Sequence, residues 1–147
     1  MQFLIPGNPV SWRAHGGYGR RSYNPRQKQR DLCRWYLRGQ MSCLQKICGA
    51  VEIQIEYYLP IPKHASRIRR QQMCEGKIFH LKKPDIDNLS KYIIDCLKTI
   101  VFDDDSQIVC LQAKKAYART PCTRIHILQA QSLISEIDQD SAIPGSK

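Results

Sequence analysis

KPDIDNLSKYIIDCLKTIVFDDDSQIVCLQAKKAY, residues 83–117, is the stretch on which the fold turns. Leu89, Ile93, Cys96, Leu97 and Ile100 recur at helical spacing, which predicts an amphipathic helix over about residues 88–100. SQIVCLQAKKAYA then reads as a strand, and CTRIHILQA as a second strand antiparallel to it, turning near Thr120 and Pro121. Acidic residues flank the helix at both ends: Asp85 and Asp87 before it, Asp103, Asp104 and Asp105 after it.

Upstream, AVEIQIEYYLPIP (50–62) alternates Val51, Ile53, Ile55 and Tyr57 with Glu52, Gln54, Glu56 and Tyr58, the period of a half-buried strand ending before Pro60. Gln2–Ile5 reads as a short first strand closed by Pro6, Gly7 and Pro9. Asn24 and Pro25 make a good helix start. The helix is expected to run to about Ile47, with Leu32, Tyr36, Cys43 and Ile47 on one stripe and Trp35, Leu37, Met41 and Leu44 beside it. Arg26, Lys28, Arg30, Arg34 and Arg38 occupy its other face, either a phosphate-facing surface or the wet side of an ordinary helix. Residues 61–83 form a basic insertion too polar for a core.

The order strand-helix-strand-helix-strand-strand predicts an α+β domain, a small mixed sheet with two main helices, over residues 1–130. Residues 131–147 read as a polar, frayed tail.

Charge narrows the class of partner. The chain carries a net +10, and residues 1–83 hold 16 basic and 4 acidic side chains, whereas residues 84–130 hold 6 of each. Such an excess favours a polyanion, because neutralising phosphates releases condensed counterions. WRAHGGYGRRSY (12–23) interleaves Arg13, Arg20 and Arg21 with Trp12, Tyr18 and Tyr23, as a phosphate-contacting loop or as a solvated connection. Its glycines miss the G-x-G-x-x-G spacing. Lys82, Lys83, Arg69, Arg70 and Lys115 are further candidate DNA contacts.

No apolar run approaches the roughly 20 residues of a spanning helix, and no apolar leader follows Met1. The seven cysteines form an odd set without a C-x-x-C pair, and with the four scattered histidines they give no zinc pattern. They read as reduced thiols of a cytoplasmic protein.

The aspartates carry the chemistry. If the helix starts at Asp87 or Asn88, Asp85 and Asp87 lie on extended chain and point the same way, and converging carboxylates call for a cation or a proton between them. The helix spans about 20 Å, so the second acidic group reaches the first only if residues 100–103 fold back. Lys91 follows Asp87 by one helical turn. Carboxylates beside a lysine are the equipment of metal-assisted phosphodiester cleavage: magnesium takes oxygen ligands and keeps activatable waters, while lysine offsets developing charge. The competing readings are ordinary: Asp87 as an N-cap, Asp104 and Asp105 as turn residues, Lys91 as a surface partner of Asp87 or Asp95. A calcium loop fails, since Ser90 or Ile108 would stand at the required glycine.

KPDIDNLSKYIIDCL, FDDDSQI and LQAKKAY together resemble the RusA family of Holliday-junction resolvases, found in bacteria and their prophages. The strong similarity covers about residues 82–117, and PGNPVSWRAH is weakly similar to the family's opening strand and basic loop. The resemblance implies a magnesium-dependent endodeoxyribonuclease, with manganese able to substitute, acting as a homodimer on branched DNA in recombination and repair. It implies Asp85, Asp87 and Asp105 as metal-binding acids, Asp104 as a competing ligand, Lys91 as the catalytic lysine, and Asn88 as a residue shaping the helix start. A binding module that has kept the fold without catalysis, and a nuclease acting on forks, flaps or RNA, are the alternatives.

Overall fold

The structure, a computed structural model, describes residues 1–13, 16–18, 21–23 and 26–130. Its elements in chain order are β1 (Gln2–Pro6), β2 (Gly16–Tyr18), β3 (Arg21–Tyr23), α1 (Gln27–Met41), β4 (Val51–Pro60), α2 (Arg67–Cys74), α3 (Ile86–Leu97), β5 (Ile108–Ala118) and β6 (Cys122–Gln129). The mixed α+β architecture expected from the sequence is present, with a third helix, α2, inside the basic insertion and a β2–β3 hairpin inside the Gly/Arg-rich segment.

β4 is the centre of the fold. Its alternating pattern buries Val51, Ile53, Ile55, Tyr57 and Leu59 on one face, and it is flanked on both sides in the sheet order β1-β6-β4-β5. β6 pairs antiparallel with β4 and with β1, which sets Ile55 and Phe3 each opposite Ile125. β5 runs parallel to β4, placing Ala113 opposite Ile55. β5 and β6 are thus antiparallel to one another, but β4 lies between them, so the hairpin ladder expected from sequence does not form. Period-two alternation identifies a strand and says nothing about which neighbour it pairs with.

α1 packs Cys33, Leu37 and Met41 into the core, a stripe spaced four residues apart, whereas Leu32 and Trp35 of the expected stripe are exposed. The helix ends at Met41, not near Ile47. Ile47 is indeed buried, but from irregular chain whose N–H donates to the Val101 carbonyl. Helical spacing alone does not distinguish one more turn from a buried side chain just beyond the last one. Asn24 and Pro25, the expected helix start, and residues 131–147 lie outside the described residues. Gln40 on α1 closes the outer edge of β1: its Oε1 accepts from Leu4 N at 2.9 Å and its Nε2 donates to Leu4 O at 3.0 Å.

α3 covers the same sheet face, burying Leu89, Tyr92, Ile93, Cys96 and Leu97. It begins two residues earlier than expected and stops at Leu97. The chain then folds back. Thr99 adopts φ 71°, its N–H donates to Phe102 O at 2.7 Å, and Val101 and Phe102 drop into the core. Arg34 secures this reversal from α1, donating to Lys98 O at 3.2 Å and to Thr99 Oγ1 at 2.8 Å, with longer approaches to Asp95 O and Cys96 O. Arg30 adds a bond to Asp95 O at 3.3 Å. Two arginines of the basic face therefore cap the C-terminus of α3, where carbonyls and the helix dipole favour a cation.

Candidate active site

Asp85 is the N-cap of α3, with extended backbone at φ −76°, ψ 147°, and its carbonyl accepts from Leu89 N at 3.1 Å. Asp87 lies inside the first turn. The premise that both sit on extended chain with parallel side chains is therefore corrected, because helical geometry turns successive residues by about 100°. The two carboxylates border different concavities. Asp85 faces one lined by Arg13, Arg26, Lys83 and Asn88, while Asp87 faces a groove of about 600 Å³ shared with Lys91, Asp95 and Asp105. Ile86, Ile94, Ile108, Leu111 and Ala113 make that groove's floor and walls largely apolar.

Neither acid is consumed by the helix. The Asp85 side chain makes no capping bond, and among the described residues Asp87 accepts a hydrogen bond only from its neighbour Asn88 Nδ2, at 3.4 Å. Both are exposed at a helix N-terminus, where the dipole stabilises negative charge. Neither takes part in an ion pair among the described residues, so two carboxylates remain available in a strongly basic chain.

The chain carrying them is fastened from β5. Lys115 Nζ donates to Lys82 O at 3.2 Å and Pro84 O at 3.0 Å, and the His80 ring packs against Tyr117 at a 52° tilt with centroids 4.8 Å apart. Burial, reinforced by the Lys115 charge, holds the His80 imidazole below its ordinary pKa.

The second acidic group has divided duties. Asp103 pairs with Lys46 at 2.7 Å. Asp104 caps the single 3-10 turn Asp105–Gln107, accepting from Ser106 N at 3.0 Å. Lys98, at 2.7 Å, and the Ser106 N–H keep its carboxyl well below the usual range. Asp105 lies 3.0 Å from the same ammonium, whose pKa the pair raises. Of the two adjacent acids, Asp105 is the one that lines the groove with Asp87.

Gln107, which the motif reading passed over, holds the turn in place. Its Oε1 accepts from Asp103 N and Asp104 N at 2.8 and 3.0 Å, and its Nε2 donates to Gly49 O at 2.8 Å. Gln107 of FDDDSQI thus has a local structural task, and its offset of three from Asp104 is the sequence signal of a capping box.

Lys91 is exposed on α3 and pairs with neither Asp87 nor Asp95; its Nζ sits 3.9 Å from the centroid of the Trp12 ring. Among the candidate DNA contacts, Arg13 and Lys83 border the Asp85 concavity, and Lys82, the residue before Lys83, is exposed. Arg69 and Arg70 lie on α2, where Arg70 donates to Ala65 O at 3.0 Å and Lys63 O at 2.7 Å. Lys115 holds the 82–84 segment as described. Arg20 and the side chain of Arg21 lie outside the described residues.

The donors suit a hard divalent cation in kind, since Asp85, Asp87 and Asp105 offer carboxylate oxygens that solvent reaches. They are not gathered into one ligand set: among the described residues no three of His, Cys, Asp and Glu stand close enough to hold an ion. The fold-back after α3 brings Asp105 into the Asp87 groove but leaves it bonded to Lys98, the C-cap that follows α3.

Among the described residues, no helix is long and apolar enough to cross a membrane. The seven cysteines are free thiols. An uncharacterized protein of Bacillus subtilis (strain 168), YqaN, is 31% identical over 88 residues, which make up 58% of this chain and 62% of that protein's length. The family model described as endodeoxyribonuclease RusA matches residues 6–128, from the end of β1 to within β6, and so takes in both acidic groups, Lys91 and the whole of the sheet's centre. The chain belongs to the RusA endodeoxyribonuclease family.

Proposed function

We propose that the protein is a divalent-metal-dependent endonuclease that resolves four-way DNA junctions by phosphodiester hydrolysis, with magnesium as its metal and manganese as a substitute. The observation that carries the reading is the shared groove of Asp87, Lys91 and Asp105 in a chain of this family. Asp87 and Asp105, which share the groove, would hold the ion together with Asp85 once Asp85 turns from its own concavity and Lys98 releases Asp105, with Asp104 committed to its cap. A divalent ion held by these acids would offer an activatable water and Lewis-acid polarisation of a phosphate oxygen. Lys91 pairs with no carboxylate among the described residues, so it is available to offset charge building on the phosphate or the leaving oxygen. Arg13, Lys82 and Lys83, next to Asp85, hold backbone phosphates on the approach to the acids. A homodimer fits this substrate, because a four-way junction has near two-fold symmetry and two related sites can cut opposing strands.

The test is cleavage of a four-way junction, a fork and a linear duplex, each with and without magnesium, by the full-length protein. Junction cleavage that requires magnesium supports the reading. Preferential cutting of the fork replaces the substrate but keeps the chemistry. Equal binding to junction and duplex with no cleavage in magnesium or manganese makes the chain a binding module instead.

A further inference from the structure

Lys91 stands between two carboxylates of its own helix, Asp87 four residues before it and Asp95 four after it, and both line the same groove. Its ammonium nevertheless rests on an uncharged surface, the Trp12 ring, 3.9 Å away. That ring is anchored. Trp12 is half-buried against the core, and its backbone N–H donates to Asn88 O at 2.8 Å, on the helix that carries Lys91 and Asp87. The first loop and α3 are therefore tied at two adjacent points, one through the backbone and one through the indole.

An indole face attracts a cation without neutralising it. An ion pair with Asp87 would fix Lys91 too, but it would quench the charge and occupy a proposed metal ligand. A lysine free in solvent would keep its charge and lose its direction. Only the aromatic rest gives an aimed ammonium that a phosphate can still recruit, with Asp87 left open.

We infer that Trp12, which lines the Asp85 concavity, is a positioning residue that holds the Lys91 ammonium at the border between that concavity and the groove, away from Asp87. The inference rests on the role proposed for Lys91. It is tested with the full-length protein carrying Trp12→Phe, Trp12→Leu, Lys91→Ala or both Trp12→Leu and Lys91→Ala, assayed on a four-way junction in magnesium. Trp12→Leu lowers kcat by about tenfold with KM little changed, since the ring holds a charge that meets the transition state and does not hold the DNA. Trp12→Phe, which retains a π face, recovers part of the loss. In the Lys91→Ala background Trp12→Leu costs nothing more. Equal losses in the Phe and Leu variants, or additive losses in the double variant, overturn the inference.

A second readout needs no cleavage and survives a poorly folding leucine variant. With Trp35→Phe removing the other tryptophan, Lys91→Met must change Trp12 emission, and an unchanged spectrum denies the contact. Wild-type protein that cuts no DNA instead overturns the site reading on which the inference stands.

Discussion

Replacing Arg34 with methionine removes the device that folds the chain back after α3. The aliphatic stem is kept, so the loss is confined to the guanidinium. Its bonds to Thr99 Oγ1 at 2.8 Å and Lys98 O at 3.2 Å have good length, while those to Asp95 O at 3.4 Å and Cys96 O at 3.5 Å add little. Charged donors contribute about 1.5–3 kcal/mol each when buried, and Arg34 is only partly buried, so the two good bonds together are worth about 2 kcal/mol. At a urea slope of about 2 kcal/mol per M, Arg34→Met lowers the unfolding midpoint by about 1 M. Arg34→Lys, which keeps the charge but not the fork, recovers about half of this. Thr99→Gly sharpens the test, because Thr99 spends about 1 kcal/mol on its φ of 71° and regains a similar amount from Arg34. The glycine variant should be near neutral alone and stabilising by about 1 kcal/mol in the Arg34→Met background. A methionine variant within about 0.5 kcal/mol of wild type would refute the capping argument.

Lys98 occupies the acidic turn as a built-in cation, so Lys98→Met should tighten manganese binding severalfold in calorimetry; weaker or unchanged binding contradicts that role. His80 gives a pH signature. Its pKa is lowered in the folded chain, so the unfolded state binds more protons below the ordinary value of 6.5. Stability is fully present above that value and declines as pH falls through the folded pKa. Urea midpoints should therefore fall between about pH 7 and about pH 5, and His80→Phe, which keeps the ring on Tyr117, should flatten the decline; an unchanged slope removes His80 as its source.

The central strand was legible because four inward side chains, Val51, Ile53, Ile55 and Tyr57, repeat without interruption; the structure adds Leu59 to the row. α3 was legible for the same reason at the other period. Its first residue was not, since both Asp85 and Asp87 are acceptable near a helix start, and the choice between them decides where each carboxylate points. The sheet order was hidden because Pro121 and Thr120 signal a reversal of direction, while the insertion of β4 between β5 and β6 is a non-local outcome. The acidic residues at both ends of α3 were visible as candidates. Their partition was not: Asp103 to Lys46, Asp104 to a cap and Asp105 to the groove depends on Lys46 and Gln107, distant or neutral residues with no acidic signature. The Trp12–Lys91 contact joins positions 79 residues apart, and no local pattern announces it.

The most direct test of the account is Asp87→Asn, compared with wild type on a four-way junction in magnesium, with binding measured on the same DNA. The substitution keeps size and removes the charge from the groove shared with Lys91 and Asp105. The account predicts cleavage slowed by about a hundredfold or more with junction affinity retained. An Asp87→Asn protein that cuts the junction at the wild-type rate would contradict it.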